Sequence, residues 1–258
     1  VLLTLFIVAS LFTKVRADEG MWIPMLLQDN EQDMHEMGMN ITVDDIYSIN
    51  HSSMKDAVVL FDGGCTGEIV SNQGLLLTNH HCGFDWIQYH STVEKDYLTH
   101  GFWAMSKEEE LPCPGISAVM LKRMEDVTDR VFEGITRETT NEERTEIVSE
   151  NIKKRKEEAE ANSDYQVIIK SFYHGNKYYM IYNEVFKDVR MVGAPPSNIG
   201  KFGGDTDNWI WPRHTGDFSI FRVYAGKDNR PAAYSPDNVP YKAEKWLNIS
   251  LDGIEEGD

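Results

Sequence analysis

Gly63-Gly-Cys-Thr-Gly-Glu-Ile-Val-Ser71, followed by Leu75-Leu-Leu-Thr-Asn-His-His-Cys-Gly83, carries more structural information than any other stretch of the chain. Short apolar runs broken by GG and NQG predict strands joined by tight turns: Ala57–Phe61, Gly67–Ser71 and Gly74–Thr78. The last of these delivers two adjacent histidines and then a cysteine. A second cysteine on the preceding strand permits a Cys65–Cys82 bridge that would pin the loop carrying His81. A loop of that size closed by a disulfide is worth about 3 kcal/mol in the chain-entropy model. A general base must lie within hydrogen-bond reach of its nucleophile, so restricting where the imidazole points suits catalysis.

A metal shell built on His80, His81 and Cys82 is the competing reading. Consecutive residues of a strand point to opposite faces. No further pair at C-x-x-C or H-x-x-x-H spacing completes a tetrahedral shell, so neither a metal nor another cofactor is expected. A purely structural pair of histidines stays open. Cys113, in Leu-Pro-Cys-Pro-Gly, is the odd cysteine and reads as a buried or free thiol.

Further strands are expected at Gly115–Met124, Tyr165–Phe172, Lys177–Tyr182 and Phe218–Tyr224. The segment from about 127 to 161 differs. Its run RETTNEERTEIVSENIKKRKEEAEA, Arg137 to Ala161, lacks Gly and Pro and is dense in opposite charges at i,i+4 spacing. It predicts an exposed helix that turns Ile147 and Ile152 inward. The fold class is therefore a mainly β domain with a helical insertion. A second non-periodic run, from Gly203 to Ser219, holds Trp209, Trp211 and several acids and reads as a pocket-building loop. Asp217 stands where that loop enters a strand, placed to accept from a histidine N–H. Asp205 and Asp207 read as turn chemistry.

Composition narrows the possible functions. The 258 residues carry 25 Lys+Arg against 42 Asp+Glu, a net charge of -17 that repels phosphate backbones and argues against nucleic-acid partners. Hydrophobic residues at 41% suffice for a sizeable core, and three cysteines are too few for a disulfide-dense scaffold. The apolar run Val1–Phe12 is shorter than the roughly 20 residues of a membrane span. It ends at Val15-Arg16-Ala17, so residues 1–17 are expected to be a signal peptide and 18–258 the exported part. No later segment reads as a stable membrane span.

Four motifs together resemble the bacterial serine exopeptidases of the dipeptidyl-peptidase 7 and dipeptidyl-peptidase 11 type: Asp18-Glu-Gly-Met-Trp22, Gly63–Glu68, Thr78–Gly83 and Asn208–Ser219. The resemblance implies a chymotrypsin-like double β-barrel with a large inserted helical domain. This chain would hold the first barrel and be incomplete at its C-terminus. Carried over by residue, His81 is the general base, Asp217 its orienting carboxylate, and Asn208 and Trp209 hold the free N-terminus of the peptide. An amide oxygen accepts from an α-ammonium, and an indole face attracts it.

The nucleophilic Ser of the family lies in a Gly-x-Ser-Gly turn, expected beyond residue 258, so the chain alone is expected to be inactive. The implied activity is release of dipeptides from the N-termini of oligopeptides, in the periplasm or at the cell surface. Cleavage after hydrophobic and after acidic residues are both open, and the resemblance allows a homodimer of the full-length enzyme. The alternative is a catalytically inactive β-domain that binds peptide or carbohydrate on Trp209 and Trp211.

Overall fold

In the first hairpin, Val58 and Leu60 point outward while Val59 and Phe61 are buried, the period-two alternation of a strand with one core face. The chain then reverses through Asp62 (φ 48) and Gly63 (φ 73), the positive-φ pair that Asp-Gly favours in hairpins. The computed structural model describes residues 22–201, 215–253 and 255. The chain divides into two units, one ending at Val43 and one starting at Asp44. In the first, a 3₁₀ turn with Pro at its start, Pro24–Asn30, leads into a helix, Glu31–Glu36. Glu31 accepts the backbone N–H of Val43 at 3.0 Å, which ties the end of the segment back to that helix.

The second unit contains, among the described residues, one antiparallel sheet of eleven strands. They are β1 Val58–Phe61, β2 Cys65–Ile69, β3 Leu75–Thr78, β4 Phe102–Trp103, β5 Leu111–Pro112, β6 Ala118–Asp126, β7 Gln166–Phe172, β8 Lys177–Phe186, β9 Asp188–Ala194, β10 Ser219–Ala225 and β11 Val239–Pro240. The main path runs β4-β9-β10-β3-β2-β1-β6-β8-β7, with β5 on β9 and β11 on β10.

This sheet curls. β10 and β1 are three ladder steps apart, about 14 Å in a flat sheet. Yet the rings of Phe61 on β1 and Phe221 on β10 have centroids 4.8 Å apart, so the inner faces meet across a common interior. Val59, Ile69, Leu76, Met120, Phe186, Met191 and Val223 fill the same core, drawn from seven strands. Only Lys187 separates β8 from β9, although the two lie far apart along the ladder, so the chain itself closes the curl. The expected mainly β fold with one curled barrel is what the chain adopts.

The helical insertion is shorter than expected. A single turn, Thr128–Val131, precedes a 21-residue helix, α2 (Asn141–Ala161), and Arg137–Thr139 lie outside it. The start is set by a capping box: Glu143 N–H donates to Thr140 Oγ1, and Thr140 N–H to Glu143 Oε2. Val148 and Ile152 lean on a small cluster of Val131, Val167, Met180 and Tyr182. Val148, rather than Ile147, therefore shares the inward stripe with Ile152.

One element contradicts the strand reading of the histidine segment. β3 stops at Thr78, and a helix, α1 (His80–His90), starts at once. Its buried residues are His80, Gly83 and Ile87, spaced as one helical face. His80 and His81 thus diverge through helical phase, not strand alternation. A Cβ at residue 83 would stand 2.6 Å from Ser219 Oγ, so only glycine lets α1 approach β10 this closely. Cys65 at the start of β2 and Cys82 in the first turn of α1 form a disulfide that closes a span of 17 residues. Cys113 is buried and free, and burial pushes its thiol up to about 12.

Two predictions follow from how α1 is fastened. Replacing Cys65 and Cys82 together by Ser is expected to lower unfolding stability by about 3 kcal/mol in urea titrations; an unchanged midpoint and slope would show that the bridge does not constrain the unfolded chain. Burial also holds His80 and His90 below their ordinary value of 6.5. The unfolded chain therefore binds more protons than the folded one below that pH, and stability is expected to be full above about pH 6.5 and to fall as pH drops further. His90 donates from Nε2 to the Pro112 carbonyl at 2.9 Å. His90→Gln, which can keep a donor there without titrating, should make the melting temperature less acid-sensitive, and an equally steep pH profile would contradict this.

Candidate active site

The antiparallel register of β3 and β10 pairs Thr78 with Ser219. That pairing brings the residues just after β3 beside those just before β10. Ser219 Oγ donates to the Asn79 carbonyl at 2.8 Å and fastens the junction. Asp217 then faces the first turn of α1.

Its carboxylate is used on both oxygens. Oδ1 accepts the backbone N–H of His81 at 3.1 Å, and Oδ2 accepts from His81 Nδ1 at 2.8 Å. Because the partner is a carboxylate, Nδ1 carries a proton, and in the neutral ring the lone pair is then on Nε2. The Asp217 side chain is 20% exposed and that of His81 65%, so the carboxylate is sheltered while the ring opens outward. Asp217 thereby satisfies one of the backbone N–H groups left without a partner at the start of α1.

Asn79 completes the arrangement and was not anticipated. Its Nδ2 donates to the Asp217 carbonyl at 3.1 Å and to Oδ2 at 3.4 Å. The visible signal was an Asn directly before the histidines, a residue type favoured at helix N-caps. Here its side chain does not cap α1. It holds Asp217, and Asp217 caps the helix in its place.

The bridge lies against the same ring. The Cys65 and Cys82 sulfurs and a His81 ring nitrogen all lie within 4.8 Å of one another, a spacing that a metal shell could span. Both sulfurs are committed to the disulfide, however, and thiolates are what a metal needs from cysteine. The cluster therefore acts as a brace behind His81. His80 does not join it: the residue is fully buried and turned the other way.

Asn208, Trp209 and Trp211 lie outside the described residues, as do Asp205 and Asp207. The structure thus brings together His81, Asp217 and the Cys65–Cys82 bridge. Chemically, this is an oriented imidazole whose free nitrogen can take a proton and whose resulting charge has a carboxylate partner.

Known proteins resemble this chain over nearly its whole length. The chain is 53% identical over 257 residues to an Asp/Glu-specific dipeptidyl-peptidase of Flavobacterium psychrophilum, covering 99% of this chain and 36% of that protein. It is 50% identical over 266 residues to dipeptidyl-peptidase 7 of Phocaeicola vulgatus, covering 100% and 37%. The crystal structure of Porphyromonas endodontalis DPP11 with the dipeptide Arg-Glu matches with a TM-score of 0.82 at 49% identity, covering 93% of this chain and 36% of that one. The chain thus spans little more than a third of the length of the relatives it matches. The family model for peptidase S46 matches residues 17–258, and the chain belongs to that family.

Proposed function

We propose that this chain supplies the base half of a serine dipeptidyl-peptidase that removes dipeptides from the free N-termini of oligopeptides. The observation that carries the reading is the two-point grip of Asp217 on His81, through backbone N–H and ring Nδ1. One carboxylate fixes both the position of the residue and the tautomer of its ring. In the reaction, His81 Nε2 takes the proton of a serine hydroxyl as that oxygen attacks the scissile carbonyl. The imidazolium so formed is stabilised by Asp217 and returns the proton to the leaving amine. Water then hydrolyses the acyl-enzyme by the same base.

The nucleophilic serine is assigned, on the resemblance, to the part of the relatives' length that this chain does not span. Asn208 and Trp209 are assigned to the substrate's α-ammonium, which an exopeptidase must recognise in order to measure two residues. The names of the relatives support dipeptide release, and near-equal identity to both kinds of relative favours neither acidic nor hydrophobic cleavage sites. We also propose export to the periplasm or cell surface. The Val1–Ala17 segment supports it, and a disulfide at the site suits an oxidising compartment.

In the full-length protein, His81→Ala is expected to lower kcat by on the order of 10⁴-fold or more, and Asp217→Asn by about 10⁴-fold. Dipeptides should be released from peptides with a free N-terminus and not from N-acetylated ones. A serine-directed phosphonate should inactivate the enzyme while chelators leave it active. Unchanged turnover in His81→Ala would overturn the assignment, and peptide binding without any turnover would favour the inactive binding domain.

A further inference from the structure

His80 is fully buried beside the proposed base, and the mechanism makes no use of it. Neither ring nitrogen has a hydrogen-bond partner among the described residues; the Pro195 carbonyl favours its protonated form without meeting hydrogen-bond geometry. A buried imidazole without a partner forgoes the usual reason for placing a polar ring in a core. Its surroundings show what the ring touches instead. A Cβ at residue 200 would stand 2.3 Å from His80 Cδ2 and 2.4 Å from Cγ, so the ring lies flat against the Gly200 backbone. The Phe84 ring meets it edge-on, with centroids 6.1 Å apart.

Gly200 in turn supports the stem that carries Asp217. Thr215 Oγ1 donates to the Ile199 carbonyl at 3.0 Å and to the Gly200 carbonyl at 3.1 Å. The Gly216 N–H donates to the Ile199 carbonyl at 3.0 Å. Asp217 is the next residue. A continuous set of contacts therefore runs from the His80 ring through the 199–200 carbonyls and the 215–216 stem to the carboxylate that grips His81.

We propose that His80 is a positioning residue: its ring acts as a flat spacer that sets the height of the Gly200 turn, and thereby where Asp217 meets His81. The two histidines divide one task by helical phase. His81 faces outward toward the reaction, and His80 faces inward and sets the distance at which its partner stands. Only glycine at position 200 is compatible with that spacing.

The test is a double-mutant cycle in the full-length protein, and its kinetic readout rests on the proposed function. Gly200→Ala forces the turn away from the ring and is expected to lower kcat by about 10- to 100-fold with KM unchanged, as small misplacements do. His80→Ala is expected to lower kcat by about tenfold. In the His80→Ala background the added Cβ enters vacated space, so the double variant should be faster than Gly200→Ala alone. His80→Val serves as a second background and should show the same recovery. The downfield His81 Nδ1–H resonance reports the Asp217 contact without substrate: it should weaken in each single variant and return in the double one. That arm separates failure of the spacer from failure of the peptidase assignment. Additive losses across the cycle, or melting temperatures that fall while kcat and the resonance stay constant, would overturn the proposal.

Discussion

The carboxylate of Asp217 at the N-terminus of α1 is the interaction on which the functional half of the structure depends. A helix start leaves backbone N–H groups without partners, and they must be satisfied by a side chain, by water or by an anion. Here a single anion accepts hydrogen bonds from both the backbone N–H and the ring Nδ1–H of His81. Backbone and side chain are thus fixed by one group. Neither contact can be lost without loosening the other, which is a stricter constraint than a lone histidine–carboxylate hydrogen bond imposes.

That interaction exists only because of sheet register. Pairing of Thr78 with Ser219 places the end of β3 beside the start of β10. A one-residue slip would turn the inward faces of β3 and β10 outward and carry Asp217 away from α1. The register is held by what lies beneath it, since Leu76 and Phe221 are both fully buried in the barrel interior. Burying a side chain of this size contributes about 1.5–3 kcal/mol. The core is therefore part of how the site is aimed. The glycine at position 83 belongs to the same constraint, because any larger residue there would lift α1 off β10.

Much of this was legible in sequence, and the parts that were not share a physical reason. The strands β1, β2, β3, β6, β7, β8 and β10 announced themselves through local alternation and glycine punctuation, and the charged composition of α2 marked it as helical. The start of α2 was displaced because Thr140 and Glu143 cap it, a signal present in the sequence but outweighed by the unbroken charge run. α1 was misread because its cap comes from residue 217, far along the chain, while the local cap residue Asn79 is engaged elsewhere. Its inward face is His, Gly and Ile, which does not resemble an apolar stripe. β9 was missed because two charges, Asp188 at its start and Arg190 inside it, break the hydrophobic pattern; the structure pairs the buried Asp188 with Arg190 at 2.9 Å and with the Asn238 amide at 2.9 Å.

The misreading of α1 bears on mechanism. As strand residues, two adjacent histidines would face opposite sides of a sheet, and one of them would be incidental. As the first two residues of a helix they lie about 100° apart on one cylinder. The outer ring is held by the carboxylate, and the inner ring rests on the turn that supports the same carboxylate. The bridge from Cys82 to β2 fixes the third residue of the helix as well. Three consecutive residues therefore anchor in three directions: His80 into the core, His81 to Asp217, and Cys82 to the neighbouring strand. Rotation of α1 about its axis is opposed by all three at once. The exposed His81 imidazole can accordingly keep one orientation on a surface that is otherwise open to solvent, because its rigidity comes from its neighbours in sequence and not from burial of its own ring.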